Sequence, residues 1–224
     1  MRVETGIEGL DKLIEGGFPE KSSILLLGPA GSGRTTFSNQ FLYHGLEKGE
    51  AAIYILFNAP PQQVKEEMKK FGWNIEGKII IFIDVYSWRT GGSEEKYVIN
   101  DPTDLNTFNI AVSQAIKELE GKNLKRCSID SLSTLFLYVP SDLCIRFSSV
   151  LLAKLKKAGT TQLVIIDKGA HDEKILASLN SITDGTIELD IRDGERVMRV
   201  ARMRATKHPL EPFRFRITDK GIVV

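Results

Sequence analysis

The residues best suited to chemistry form a glycine-rich stretch near the amino terminus. Its glycines and threonine follow the pattern G-x-x-x-x-G-x-T, in which backbone N–H groups can surround a phosphate and the hydroxyl can bind Mg²⁺. Residues 23–27 predict a buried strand before the stretch, and residues 36–42 predict a helix after it. The N-terminus of that helix would add partial positive charge. The sequence therefore predicts a nucleotide-phosphate site made of Gly28, Pro29, Ala30, Gly31, Ser32, Gly33, Arg34, Thr35 and Thr36.

Asp130 is the second residue with a role in such chemistry. Phosphate-binding loops are commonly accompanied by an acidic residue at the end of a nearby apolar strand, which holds Mg²⁺ through water. Residues 126–130 form such a run roughly a hundred positions after the loop, and Asp130 ends it. We therefore expect Thr35 and Asp130 to bind Mg²⁺.

Arg34 stands where the loop pattern has lysine. Arginine keeps the positive charge, but its larger, planar and forked head is not expected to reproduce the position of a lysine in a tight loop. Displacement of a catalytic charge by about 1 Å lowers a rate on the order of 10²-fold. The substitution predicts retained or weakened binding with slow or absent turnover.

A second departure concerns the group that would activate water. In many folds of this kind an acidic residue at the tip of the second strand does so, but residues 55–61 contain Asn58 and Ala59 and no carboxylate. Asn58 can hydrogen-bond a water but cannot take its proton at neutral pH. The substitute bases that the sequence offers are Asp84, which ends the third strand, and Glu94 and Glu95 in an irregular segment over residues 86–103. No catalytic residue is therefore assigned.

The elements that would position these residues follow from the apolar pattern. Apolar runs alternate with helical stretches, which predicts a parallel sheet with helices on both faces. Strands are predicted at 23–27, 51–57, 78–84, 126–130 and 162–167, and helices at 37–48, 61–71, 105–120 and 142–157. After about residue 182, stretches 186–191, 196–205 and 213–217 predict an antiparallel edge, with a hairpin turn at Asp193-Gly194.

Composition limits the remaining classes of function. The 224 residues carry a formal net charge of +1, which predicts no global attraction to DNA or to membranes. A local surplus occurs over residues 192–216, with eight Arg and Lys against three Asp and Glu. Cys127 and Cys144 lack the spacing of a metal or disulfide site. With no linker, signal peptide or membrane-length apolar run, we expect one cytoplasmic domain over residues 1–224.

The sequence resembles the RecA/KaiC-like P-loop ATPases, specifically their small single-domain archaeal and bacterial members. Besides the loop, the resemblance rests on an opening T-G-x-x-x-L-D…G-G-x-P pattern and on a strand similar to K-M-R-x-T-x-H. It covers almost the whole chain. The stretches that carry it are residues 5–11, 16–19, 40–50, 69–73, 171–174, 202–210 and 217–222.

The resemblance implies a RecA-like P-loop core that forms a homo-oligomer, as a six-membered ring, with ATP or ADP and Mg²⁺ between subunits. In the family, basic residues of the K-M-R strand reach the neighbour's nucleotide, and Arg202 and Arg204 occupy those positions here. Residues two apart on a strand face the same side, so both guanidiniums are expected to point together.

The departures at Arg34 and at Asn58-Ala59 favour a member that binds nucleotide but has lost rapid hydrolysis. The leading hypothesis is a nucleotide-dependent oligomeric scaffold or regulator. One alternative is an active ATPase with a relocated base, Glu94 or Glu95. Another is a recombinase-like accessory protein that binds DNA, which the sequence supports weakly because it has no clear basic loop for nucleic acid.

Overall fold

The computed structural model describes residues 1–224, and a nine-stranded sheet forms its centre. The strands are β1 Arg2–Val3, β2 Phe18–Pro19, β3 Ser23–Gly28, β4 Ala51–Leu56, β5 Ile80–Asp84, β6 Tyr97–Val98, β7 Leu124–Asp130, β8 Thr161–Asp167, β9 Gly185–Arg192, β10 Glu195–Met203, β11 Phe213–Arg214, β12 Arg216–Thr218 and β13 Gly221–Val223. The helices are α1 Glu8–Leu13, α2 Arg34–Glu47, α3 Pro61–Lys70, α4 Leu105–Glu118, α5 Ser141–Lys157 and α6 Glu173–Ile182. Short 3-10 turns cover Ser87–Arg89 and Leu132–Leu137.

The main sheet is parallel except at one edge. Its order is β11-β10-β9-β3-β8-β7-β4-β5-β6, and only the β9–β10 and β10–β11 pairs are antiparallel. The turn between β9 and β10 consists of Asp193 and Gly194, with φ angles of 51° and 77°. Positive φ at both positions is typical of a two-residue hairpin turn. The expected α/β fold with an antiparallel C-terminal edge is confirmed.

Apolar side chains project from the central strands toward both faces of the sheet. Along β3, Ile24 and Leu26 enter one buried cluster, whereas Leu25 and Leu27 enter the other. The first cluster is covered by α2 and α3, and the second by α4, α5 and α6. Burial on both faces explains why these strands read as continuous apolar runs. No helix combines the length and apolar character required to cross a membrane.

Two expectations about the C-terminal strands were wrong. Residues 213–217 form two short strands, because β11 joins the main sheet while β12 leaves it to pair with β13. The side chain of Gln40 holds that hairpin against α2, since it accepts from the Ile222 N–H at 2.6 Å and donates to the Ile222 carbonyl at 3.2 Å. The predicted strand 196–205 ends at Met203, so Arg204 lies beyond it.

Candidate functional site

The glycine-rich loop connects β3 to the first turn of α2 at the carboxyl end of the parallel sheet. Gly33 lies directly before α2 with a φ of 101°, and a Cβ there would lie 2.8 Å from Ile217 Cδ1. Both the backbone angle and the close contact therefore require glycine. The loop is closed internally by the hydroxyl and N–H of Ser32, which donate to the Pro29 carbonyl at 2.8 and 3.3 Å.

The loop and the start of α2 offer unpaired backbone donors. The N–H groups of Arg34, Thr35 and Thr36 have no backbone acceptor. Ala30 and Gly31 are exposed, and no heavy atom lies within 4 Å of the position that a Cβ of Gly31 would take. Free N–H groups at the positive end of a helix favour an anion. The residues expected to hold phosphate, 28–36, thus form one continuous anion cradle.

Thr35 and Asp130 meet beside this cradle. Thr35 Oγ1 donates to Asp130 Oδ2 at 2.8 Å, which joins the first turn of α2 to the end of β7. A hydroxyl and a carboxylate are hard oxygen ligands of the kind that Mg²⁺ prefers. The two residues therefore fit Mg²⁺, and a bound Mg²⁺ would supply charge neutralisation next to nucleotide phosphates.

The environment of Asp130 is unfavourable for its own negative charge. Burial raises the pKa of the carboxyl to about 6, and the nearby charges of Asp167 and Glu67 also raise it. The hydrogen bond from Thr35 and the positive charge of Arg34 act in the opposite direction. A buried carboxylate with this balance gains from an added cation, which agrees with a role in holding Mg²⁺.

The side chain of Arg34 extends from the start of α2 to β8, the strand that lies beside β3 in the sheet. Its Nη1 donates to the Ile166 carbonyl at 3.0 Å and forms an ion pair with Asp167. Asp167 is the register partner of Gly28, the last residue of β3, so the carboxylate lies beside the start of the loop. Sequence reasoning missed Asp167. Its position at the end of an apolar strand, which was the signal for Asp130, could have identified it.

Asp84 has a structural role. Its carboxylate accepts from the N–H groups of Tyr86 and Ser87 at 2.9 Å and from the hydroxyls of Ser87 and Ser93 at 2.6 Å. These four contacts anchor the irregular segment that follows β5. A carboxylate with four donors has little capacity left to accept a proton from water.

The structure does not bring Glu94 or Glu95 to the loop. Glu95 forms an ion pair with Lys65 of α3 at 2.5 Å, and both glutamates line a cavity of about 450 Å³ that contains no residue of the loop. In the sheet order, β5 lies four strand positions from β3. At the usual strand spacing this is roughly 19 Å. The structure therefore gives neither residue the contacts of a general base.

Asn58 and Ala59 follow β4 at the same edge of the sheet as Asp130. Asn58 is exposed, and its Oδ1 accepts a hydrogen bond from Thr134 Oγ1. The position expected to activate water thus holds an amide.

Glu67 of α3 is another carboxylate near Asp130 that sequence reasoning missed. Its charge, like that of Asp167, raises the pKa of Asp130.

An arginine-rich cavity adjoins the loop on the β10 side. Its volume is about 360 Å³, and its lining includes Arg196, Arg214, Phe215, Arg216 and Ile217. Arg196 also donates from Nε and Nη2 to the Gly31 carbonyl at 3.3 and 3.2 Å. Part of the basic surplus over residues 192–216 therefore lies directly beside the anion cradle.

A family model matches almost the whole chain, including the residues of this site. A model described as "ATPase: KaiC" matches residues 3–224. The chain belongs to the KaiC ATPase family. Membership in this family implies nucleotide binding, usually with Mg²⁺.

Individual proteins also match over the whole chain. UPF0273 protein PF1931 of Pyrococcus furiosus is 35% identical, and the alignment covers 100% of this chain and 93% of that protein. A UPF0273 protein of Thermotoga maritima is also 35% identical, with 100% and 95% covered. The solved structure of KaiC-like protein PH0186 from Pyrococcus horikoshii OT3 matches with a TM-score of 0.81 and 28% identity, covering 100% of this chain and 98% of that one. The chain is a small KaiC-like member with a RecA fold.

In this KaiC-family chain, Arg202 and Arg204 both meet the turn after α6. Arg202 Nη2 donates to the carbonyls of Asn180 and Thr183 at 2.7 and 2.9 Å, so it satisfies groups at the C-terminal end of α6. Arg204 Nη1 lies 3.4 Å from Asp184 Oδ1, and 64% of its side chain is exposed. Arg204 is thus the freer of the two guanidiniums.

Proposed function

We propose that this KaiC-family chain binds ATP or ADP with Mg²⁺ at residues 28–36, hydrolyses ATP slowly or not at all, and acts as a nucleotide-dependent oligomeric scaffold or regulator. One observation carries the proposal. The binding groups are assembled, with a free amide cradle and the Thr35–Asp130 contact, while the water-activating position holds Asn58.

The binding half of the proposal rests on complementary charge. Phosphates would accept from the free N–H groups of the loop, and Thr35 with Asp130 would hold Mg²⁺. The cavity lined by Arg196, Arg214 and Arg216 adjoins the loop and adds positive charge there, although Glu195 also lines it and pairs with Arg214 at 2.7 Å. We therefore expect Arg196→Ala to weaken binding. Arg199→Ala is the matched control, because Arg199 lies on the same strand but pairs with Glu188 at 3.0 Å.

The slow-turnover half rests on two groups. The loop cation is an arginine whose guanidinium pairs with Asp167, and Asn58 cannot accept a proton at neutral pH. Charge stabilisation and proton transfer are both reduced, and proton transfer alone contributes about 10²- to 10⁴-fold to a typical rate. We expect steady-state turnover at least about 100-fold below 1 s⁻¹.

The oligomeric part rests on family membership and on the exposed guanidinium of Arg204. In the proposed assembly, single-domain subunits form a ring, and Arg204 reaches the nucleotide of the neighbouring subunit. Arg202 would have to release the carbonyls of α6 before it could do the same.

Titration calorimetry with Mg²⁺·ATP and Mg²⁺·ADP, phosphate release and light scattering after size-exclusion chromatography test the proposal together. We expect micromolar or tighter binding, turnover below about 0.01 s⁻¹ and an oligomer whose size depends on nucleotide. Turnover of about 1 s⁻¹ or faster would reject the loss of hydrolysis. Absence of binding to either nucleotide would reject the proposal as a whole.

A further inference from the structure

Arg34, at the start of α2, and Asp167, at the end of β8, form a largely buried ion pair. Only 13% of the Arg34 side chain is exposed, and its guanidinium is held by the Ile166 carbonyl as well as by Asp167. Asp167 is held on its own side, because Oδ2 accepts from Ser131 Oγ at 3.1 Å and its N–H donates to Ser133 Oγ at 2.8 Å. Both partners are therefore fixed in place, unlike two long side chains that meet at an open surface.

Carboxylate and phosphate are competing partners for a guanidinium. Arginine binds either group through the same forked set of donors, often in bidentate fashion. Arg34 is the cation of the anion cradle, yet its guanidinium already has an anionic partner on β8. To contact a nucleotide's phosphates, Arg34 must leave Asp167 in whole or in part.

The charges around the pair fit this exchange. Arg34 pairs with Asp167, its neighbour Thr35 donates to Asp130, and Ser131, the residue after Asp130, donates to Asp167. Arrival of Mg²⁺ and phosphates would change the partners of Arg34, Asp167 and Asp130. Asp167 would then retain the hydrogen bond from Ser131.

Asp167 is the last residue of β8 and directly precedes the connection to α6. Two contacts fasten that connection elsewhere: Lys168 pairs with Asp190 at 2.9 Å, and His171 Nε2 lies 2.7 Å from Ser133 Oγ. A change at Asp167 would therefore act first on this segment, which follows the strand beside the loop and leads into the N-terminus of α6.

We propose that Asp167 is a positioning residue that competes with the nucleotide's phosphates for Arg34 and thereby sets the nucleotide affinity of the site. The proposal rests on the proposed function, because it assumes that residues 28–36 bind a nucleotide. In the nucleotide-free protein Asp167 holds the guanidinium on β8, and binding transfers it to the phosphates. Asp167 thus stabilises the free protein and weakens binding.

The test is Asp167→Asn, compared with Asp190→Asn as the matched control. Asp190 is also partly buried and also pairs with a cation, Lys168, but it does not contact Arg34. Two quantities are measured for each protein: the melting temperature without nucleotide and the Kd for Mg²⁺·ATP by titration calorimetry. For Asp167→Asn we expect a lower melting temperature and about tenfold tighter binding, within the usual range of site-to-site coupling. For Asp190→Asn we expect an unchanged Kd.

A double variant separates competition from other effects of the substitution. Because the competition is for one guanidinium, Asp167→Asn should not tighten binding when it is combined with Arg34→Ala. If the pair only holds β8 against α2, Asp167→Asn lowers the melting temperature and leaves the Kd equal or weaker, which overturns the inference alone. If neither wild type nor Asp167→Asn binds Mg²⁺·ATP, both the inference and the proposed function are wrong.

Discussion

Thr35 Oγ1 donates a hydrogen bond to Asp130 Oδ2 at 2.8 Å, although 95 positions separate the two residues in the chain. The contact places a hydroxyl and a carboxylate at the mouth of the anion cradle. It also gives Asp130 a neutral donor where a cation would otherwise be its natural partner. The pair is therefore the part of the site on which Mg²⁺ dependence should rest.

Replacing Thr35 tests that dependence. We expect Thr35→Val, which keeps the shape but removes the hydroxyl, to weaken Mg²⁺·ATP binding at least about tenfold, because one hard oxygen ligand is lost. Thr35→Ser keeps the hydroxyl and should bind like wild type. Calorimetric titrations with Mg²⁺ and with chelator measure the effect. Equal losses under both conditions would contradict a role for Thr35 at the metal.

Asp130→Asn should separate stability from binding. Burial and the charges of Asp167 and Glu67 disfavour an ionised carboxylate at this position. An asparagine keeps an acceptor for Thr35 without that charge. We expect the free energy of unfolding of the metal-free protein at pH 7.5 to rise by about 1 to 2 kcal/mol.

The same variant should lose the Mg²⁺ dependence of nucleotide binding, because an amide is a poor substitute for a carboxylate near the ion. Denaturant unfolding in chelator and titrations with and without Mg²⁺ measure the two effects. A less stable Asp130→Asn protein would show that the carboxylate has partners in the free protein that outweigh its burial.

The fold could be predicted from sequence where local pattern decides it. Continuous apolar runs identified the five central parallel strands to within a few residues. A strand that is buried on both faces of a sheet carries apolar side chains along its whole length, so the run itself marks the strand. The split of residues 213–217 could not be predicted, because it depends on Gln40 of a distant helix. The bulge between Val200 and Arg202 and the early end of β10 also could not be predicted from the local sequence pattern.

The candidate site likewise has parts that the local sequence predicts and parts that depend on contacts between distant residues. The cradle of residues 28–36 is contiguous, so its spacing alone indicates a phosphate loop. The pairing of Arg34 with Asp167 joins residues 133 positions apart, and although the end of an apolar strand marks Asp167 as a candidate, nothing in the local sequence indicates that it pairs with Arg34. Glu94 and Glu95 were candidates because they lie in an irregular segment, but the strand order places that segment far from the loop.

Gly45 of α2 should be intolerant of even one added carbon. A Cβ there would lie 2.0 Å from Arg126 Nε, and the Arg126 side chain is only 1% exposed. That guanidinium also pairs with Glu50 and donates to the carbonyls of Glu4 and Phe41 at 2.7 Å. Alanine is favoured over glycine in a helix by about 1 kcal/mol, so a net loss of stability would show that the packing conflict dominates.

We expect Gly45→Ala to lower the free energy of unfolding by about 2 to 4 kcal/mol, measured with a chemical denaturant. The loss should shrink when Arg126→Met is present, because the conflicting guanidinium is then absent. Additive effects of the two substitutions would mean that Gly45 matters for another reason.

Arg202 and Arg204 should have separable roles. Because Arg202 satisfies carbonyls at the end of α6, we expect Arg202→Ala to lower the free energy of unfolding by about 1 to 2 kcal/mol. Arg204 is mostly exposed, so Arg204→Ala should leave stability nearly unchanged and reduce nucleotide-dependent assembly. Denaturant unfolding and light scattering with ATP measure the two effects. Unchanged assembly in Arg204→Ala would contradict the proposed contact of this residue with the neighbouring subunit.

Restoring both missing groups should restore turnover. We expect Arg34→Lys combined with Asn58→Glu to raise steady-state phosphate release at least about tenfold above wild type, because a flexible lysine can reach the phosphates and a carboxylate can accept the proton of water. The matched control is Arg34→Lys with Asn58→Gln, which has the same side-chain length without a base. Equal rates in the two double variants would show that Asn58 is not the position from which a base was lost. If Asn58→Glu alone raised the rate as far as the double variant, Arg34 would already support hydrolysis, and the slow turnover would follow from the missing carboxylate by itself.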